Sequence, residues 1–321
     1  MIYRSYSKIL NRDLSCIGFG GWGIGGPSDG CMAYGSVSDS TSKTALKAAY
    51  DNGINFFDTS NIYGMGKSEE LIGSTLANVR EDVIIATKVG RISGGQQCFD
   101  VTSLKKSFFE SLKRMKTDYI DLLQLHDPLQ SFALNEEVLE FMLDLKSAGF
   151  VRSIGASLKS PEYAQSFIDS EYWDIIQINF NLIDQRALES NIFENASKSG
   201  KEIIVRTPLA FGFLAAHHDT DCLRFPEGDH RSQWSLEQLK LWASAPDKFA
   251  EICNELNMDI GELAIKFAAT QYPTISCLVG MLNPGEVMKN IRGMSQACKL
   301  PDLIIKKIRD VYANNEFFIK S

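Results

Sequence analysis

The chain has 321 residues, with 33 basic against 40 acidic side chains, a formal charge of −7 and a mean hydropathy of −0.11. Its 44% hydrophobic content supports a sizeable core, and no long basic run offers a footing for nucleic acid or an anionic membrane. No apolar stretch is long enough to span a bilayer, and Met1 to Ser5 lack the apolar run of a secretory signal, so a cytoplasmic location is expected.

In chain order, residues 4–7 and 14–17 flank an Asn11-Arg12-Asp13 turn, which predicts a small hairpin. A first strand from Ile17 then runs into a loop whose six glycines (18, 20, 21, 23, 25 and 26) suit either close backbone approach to a ligand or simple flexibility. Their spacing lacks the G-x-G-x-x-G order that opens a Rossmann helix. A helix over 40–52 places Leu46, Ala49 and Tyr50 on one face and stops at Gly53. After it, short apolar segments at 55–57, 83–87, 120–125, 153–156, 175–178, 202–205 and 275–279 read as strands. Helical patterns separate them, over 67–76, 103–115, 135–147, 161–168, 187–199, 246–256 and 260–270, with two more over 284–294 and 301–313. A long irregular loop carries 208–234.

Eight strand-then-helix units after a hairpin predict an α/β fold, a (β/α)8 TIM barrel with extra helices near the C-terminus, read as one domain over 1–321. A doubly wound open sheet is the alternative fold. The seven cysteines (16, 31, 98, 222, 253, 277 and 298) contain no Cys-x-x-Cys pair and read as reduced thiols. The four histidines (126, 217, 218 and 230) form no ligand cluster, so no metal is expected.

Three consecutive strands end on Asp58, Lys88 and His126, and Tyr63 follows in the loop after the first of them. Singly, each has a structural reading: a loop cap, a solvated strand end, a satisfied rim histidine, a packed ring. Together they fall on the face of a barrel where catalytic groups gather. A tyrosine hydroxyl titrates near ~10. A neighbouring ammonium favours the phenolate and a carboxylate holds that ammonium, while a neutral imidazole can orient a substrate oxygen. This set can pass a proton to a carbonyl oxygen or take one from an alcohol.

The sequence resembles the aldo-keto reductases. Asp58, Tyr63, Lys88 and His126 match that family's catalytic tetrad in order and spacing. Asn55, Phe57-Asp58-Thr59, Tyr63-Gly64, Ser68-Glu69 and Gly73 match the surrounding motif, and the resemblance runs from Ile17 through Asn290. It implies Tyr63 as general acid/base tuned by Lys88 and Asp58, His126 placing the carbonyl, and hydride from NADP(H) or NAD(H). It also implies cofactor contacts at Gly21, Ser157, Gln177, Arg206, Pro208, Leu209, Gly212, Gly280, Glu286 and Asn290. Two residues depart from the family pattern: Leu158 stands where an asparagine is usual, and Arg206 where many members stack a tyrosine. At the adenosine end, Met281, Leu282 and Glu286 occupy positions where NADP(H)-selective members carry Arg or Lys, leaving Lys289 nearby. NAD(H) is therefore expected to serve at least as well.

Trp22 is the favoured pocket wall, and Trp234 reads as loop packing. The polar rim and Arg206 suit a small-molecule carbonyl or sugar, with no nucleic-acid or membrane partner; the oligomeric state stays open. Two other functions remain: a Schiff-base barrel enzyme using Lys88, and a dinucleotide-binding sensor without turnover.

Overall fold

The hairpin pairs β1 (Arg4–Ser7) antiparallel with β2 (Arg12–Ser15), turning through Asn11, whose φ of 51° an asparagine tolerates. The computed structural model describes residues 2–28, 33–215, 218–220, 222–292, 294 and 299–319. Cys31, Cys298 and His217 lie outside them.

Eight parallel strands follow: β3 (Ile17–Gly20), β4 (Phe56–Asp58), β5 (Ile84–Val89), β6 (Ile120–His126), β7 (Val151–Leu158), β8 (Ile175–Asn179), β9 (Glu202–Arg206) and β10 (Thr274–Gly280). Each pairs with the next, and β10 pairs with β3 to close the barrel. Strands covered on both faces are buried along their length, and every residue of β5 and β6 is buried, the polar Thr87, Lys88, Asp121, Gln124 and His126 included. The helices between them present one apolar stripe. In Val101–Met115 it is Leu104, Phe108, Leu112 and Met115, and the Asp100 side chain caps the first turn by accepting from Ser103 N–H.

The pleat sorts the barrel interior into layers. Leu10 and Leu14 of the hairpin pack upward against Phe56, Ile84, Leu122, Ile175, Ile204 and Ile275, forming a dry floor. Two or four residues further along the same inward faces, the side chains turn polar: Asp58 above Phe56, Lys88 above Ile84 and Ala86, Gln124 and His126 above Leu122, Gln177 above Ile175, Arg206 above Ile204. The second core lies outside the barrel, between strands and helices.

Several expected boundaries shift. Asp58 is the last residue of β4 and Lys88 lies within β5, because pairing continues through Asp58↔Ala86 and Lys88↔Gln124. The glycine-rich loop contains a turn of helix, Trp22–Gly25. The helix expected over 187–199 is two, Arg186–Glu189 and Ile192–Lys198, interrupted at Asn191 with φ 54°. That expected over 246–256 breaks likewise into Ala245–Lys248 and Ala250–Leu256. An unexpected helix, Leu236–Ala243, begins where Ser235 accepts from Gln238 N–H.

Much of the family-like motif is scaffold. Asn55 ties β2 to the barrel, its Oδ1 accepting from Ser15 N–H and its Nδ2 donating to the Asp13 carbonyl, both at 2.8 Å. Ser68 Oγ donates to the Gly21 carbonyl and accepts from Thr59 Oγ1, each at 2.8 Å. A Cβ on Gly73 would lie 2.4 Å from Met115 Cα, so two helices touch there backbone to backbone. Glu69, on the helix Lys67–Leu76, is fully buried; its carboxylate accepts from Thr87 Oγ1 and from Arg114 Nε, each at 2.6 Å. Glu69→Ala leaves the Arg114 guanidinium half-stranded and the Thr87 hydroxyl unpaired. Urea unfolding should show a loss of about 3 kcal/mol, the lower end for a broken buried pair because Arg114 keeps some contact with water.

Candidate active site

The polar layer is organised around Lys88 Nζ, which is buried and donates to Asp58 Oδ1, to the Thr59 carbonyl at 2.8 Å and to Tyr63 Oη at 3.3 Å. An ammonium has three hydrogens, and all three are used. The other oxygen of Asp58 accepts from Gln177 Nε2 at 2.9 Å and Gln124 Nε2 at 3.1 Å. Gln177 Nε2 also donates to Gln124 Oε1 at 3.1 Å, and Ser157 Oγ donates to Gln177 Oε1 at 2.8 Å. Gln124 is absent from the sequence expectation. It lies two residues before His126 on the same inward face, and that spacing was the signal available.

Tyr63 stands in the loop after β4, its ring edge-on to His126 with centroids 5.8 Å apart. Gly64 beside it touches Gly25: a Cβ on Gly64 would fall 2.1 Å from the Gly25 carbonyl oxygen. That part of the glycine-rich loop thus makes room for a second loop. Burial works against the Lys88 ammonium, but Asp58 and Tyr63 outweigh it and hold its pKa above the ordinary value. Burial also raises the Tyr63 phenol, and the opposing pull of Lys88 does not cancel it. The pull of Lys88 toward the phenolate is present, as expected, but burial outweighs it and the group is a phenol, whose hydrogen no described residue accepts.

His126 is buried and neutral, held well below its ordinary pKa by burial first and then by Lys88, Arg91 and Arg206. Its Nδ1 lies 3.0 Å from Ser60 Oγ. The next residue, Asp127, accepts from Arg91 Nη2 at 2.8 Å and Arg206 Nη2 at 3.3 Å, and Arg206 Nη2 also donates to the Leu158 carbonyl at 3.0 Å. The two departures from the family pattern are therefore in contact. Leu158 turns its side chain into the outer core and offers Arg206 its backbone.

A cleft of about 440 Å3 starts at Asp58 and Tyr63, passes Gln177 and Arg206, and runs by Pro208, Leu209 and Gly212 to Gly280, Glu286 and Asn290. Gly21 and Trp22 form its other wall. Three expected site residues do not line it: Ser157 backs Gln177, while Lys88 and His126 lie beneath the surface. The cleft fits a dinucleotide. Gln177 Oε1 keeps one lone pair for a carboxamide, and a Cβ on Gly280 would meet nothing, so this backbone lies open to a ligand.

Glu286, half-buried at the end of the cleft, turns its carboxylate back to the start of its own helix. Its carboxylate accepts from Leu282 N–H at 2.9 Å and Asn283 Nδ2 at 2.8 Å, while Asn283 Oδ1 accepts from Glu286 N–H. This is a reciprocal helix cap. Lys289 Nζ donates to the Ala215 carbonyl at 2.8 Å.

Sequence reasoning missed a joint behind the cleft residues Trp22 and Tyr34. His230 N–H donates to the Ala33 carbonyl at 2.9 Å, joining the loops after β3 and β9. The His230 ring sits among Trp22, Tyr34, Trp234 and Phe211 at centroid distances of 4.5, 4.9, 4.8 and 5.1 Å, and burial lowers its pKa to about 4. Trp22 is thus a cleft wall, whereas Trp234 packs. Among the described residues, no group of His, Cys, Asp and Glu is placed to hold a metal ion, and no helix is long and apolar enough to cross a membrane.

A closed βα barrel with Asp58 and Lys88 buried at the strand ends, Tyr63 half-buried in the loop above them and a long cleft beside it matches a family of oxidoreductases using NAD(P)(H). The chain belongs to the aldo/keto reductase family, which it matches over residues 16–313. It is 31% identical over 296 residues to the aldo-keto reductase YhdN of Bacillus subtilis, covering 88% of this chain and 86% of that one. With the NADH-specific methylglyoxal reductase of Escherichia coli it shares 26% identity over 300 residues, 88% of this chain and 90% of the relative. Its fold is similar to the solved glycerol dehydrogenase of Gluconobacter oxydans, with a TM-score of 0.79 and 25% identity over 100% of this chain and 97% of that one.

The direction of the Tyr63 shift can be read directly. An ultraviolet difference titration of wild type against Tyr63→Phe should show this phenol ionising only above pH ~10. Ionisation below that would contradict the dominance of burial.

Proposed function

We propose that this chain reduces small carbonyl compounds, or oxidises the corresponding alcohols, with Tyr63 as the proton donor and acceptor. The observation that carries this is the buried Lys88 bridging Asp58 and Tyr63 beside the cleft. A reduced nicotinamide, when bound, supplies the hydride to the carbonyl carbon. Tyr63 Oη gives its hydrogen to the carbonyl oxygen, and Lys88 steadies the phenolate left behind. Asp58 fixes Lys88, and the two glutamines keep Asp58 from rotating away. Gln177 Oε1 and the backbone around Gly280 would hold the cofactor, and Arg206 would flank its reactive ring.

The Schiff-base alternative is disfavoured by the engagement of all three Lys88 hydrogens and by its raised pKa, since such a nucleophile must be a neutral amine. The sensor alternative differs in one measurable way. Tyr63→Phe should lower kcat by about 10²–10⁴-fold while leaving the Kd for NADH unchanged. Unaltered turnover in that variant would remove Tyr63 from the chemistry.

For the cofactor we favour NAD(H). Glu286 already occupies the Leu282 N–H, and Asp259 and Glu262 add carboxylates to the same cleft. Lys289 points to a backbone carbonyl. A 2′-phosphate would meet repulsion without a free fork of donors, whereas a ribose hydroxyl would not. The relative from Escherichia coli, described as NADH-specific, accords with this. Titration followed by tryptophan fluorescence should give a Kd for NADH about tenfold below that for NADPH, and Glu286→Arg should narrow the gap. Tighter binding of NADPH by the wild type would refute the preference.

A further inference from the structure

The reacting end of the cleft holds more positive charge than its own carboxylates neutralise. Lys88 is matched by Asp58. Arg91 and Arg206 share one carboxylate, Asp127, whose Oδ2 accepts from Arg91 Nη2 at 2.8 Å and whose Oδ1 accepts from Arg206 Nη2 at 3.3 Å. Tyr63 is a phenol and His126 a neutral imidazole. Three cations therefore stand against two carboxylates. The other carboxylates along the cleft are engaged elsewhere. Glu286 accepts from Leu282 N–H, Asp259 from Glu262 N–H at 2.9 Å, and Glu262 is paired with Lys266 at 3.0 Å.

Of the three cations, Arg206 is the one that lines the cleft. Its guanidinium is held in place, tied to Asp127 and, at 3.0 Å, to the Leu158 carbonyl. Its position relative to the chemistry follows from its influence there. After burial, Lys88 and Asp58, Arg206 is the next to act on the Tyr63 phenol; after burial, Lys88 and Arg91, it is the next to act on His126. Tyr63 serves the oxygen of a carbonyl, and hydride goes to the carbon one bond away. A cation close to Tyr63 is therefore also close to the ring that exchanges hydride.

A nicotinamide ring is a cation when oxidised and neutral when reduced. A fixed positive charge beside it repels the first state and leaves the second alone. An aromatic side chain in the same place would do the reverse, since its ring face attracts a cation. We propose that Arg206 is a specificity residue that makes the site select the reduced dinucleotide over the oxidised one. The inference rests on the reading of a nicotinamide beside Tyr63. A site with this bias fills with the reduced form when the oxidised form is in excess, and it lets the oxidised form go once a carbonyl has been reduced.

Tryptophan-fluorescence titrations of the wild type, Arg206→Gln and Arg206→Lys with NADH, NAD+ and ADP-ribose read the bias as a ratio of dissociation constants. The wild type should bind NADH about tenfold or more tighter than NAD+, the figure being modest because Asp127 offsets part of the charge. Arg206→Gln keeps a hydrogen-bonding side chain without the charge, and it should bring the ratio down toward one by tightening NAD+. Arg206→Lys should retain most of the ratio. ADP-ribose has no nicotinamide and should bind the wild type and Arg206→Gln alike. Equal binding of NADH and NAD+ by the wild type, or a ratio untouched by Arg206→Gln, would overturn the proposal and leave the reductase reading standing. Weakening of all three ligands together at an unchanged ratio would make Arg206 a structural tie only, and would overturn it as well. If the wild type binds none of them, the dinucleotide reading itself fails and takes this inference with it.

Discussion

A buried ammonium is among the most expensive groups a fold can carry, several kcal/mol even after relaxation, and Lys88 is tolerable only because its three hydrogens find Asp58, Thr59 and Tyr63. The rest of the upper barrel follows from that demand. Asp58 must be ionised and immobile, so Gln124 and Gln177 hold its second oxygen. Gln177 must keep its amide orientation, so Ser157 stands behind it. Tyr63 must reach back over the strand end, and its loop can do so because Gly25 and Gly64 let two backbones meet.

The grouping of Asp58, Lys88 and His126 was legible in the sequence because a strand's apolar run ends visibly when it reaches a carboxylate, an ammonium or an imidazole. The barrel was legible because eight such runs alternate with helical stripes. Gln124 was missed since an amide between leucines does not stand out unless the two-residue period is followed upward from Leu122. The Glu286 cap and the joint between Ala33 and His230 were illegible for different reasons. The first depends on a rotamer that sends a carboxylate back to its own helix start. The second joins residues almost 200 positions apart, through loops without periodicity. The breaks at Asn191 and Phe249 interrupt helices whose apolar spacing runs straight across them.

Leu158 and Arg206 illustrate how two departures can amount to one. Each looks like a loss when set against the family pattern separately. In the folded chain the guanidinium spans the gap, bonding the Leu158 carbonyl and the carboxylate of Asp127, which Arg91 shares. The positive charge near Tyr63 and His126 is thereby fixed in place, and it contributes to keeping His126 neutral.

The hairpin at the opposite end of the barrel has a bearing on this chemistry. Leu10 and Leu14 complete the apolar floor, and Asn55, Glu202 and Ser276 fasten the hairpin by bonds to its backbone or to Ser7. This apolar layer lies beneath the buried Asp58 and Lys88 and helps to maintain the low local dielectric that strengthens the contacts of Lys88. Residues 2–15, at the opposite end of the barrel from Tyr63, act as a seal on it. Loosening that seal would let solvent in beneath Asp58 and Lys88, and the contacts that hold Tyr63 would weaken without any change in the residues that make them.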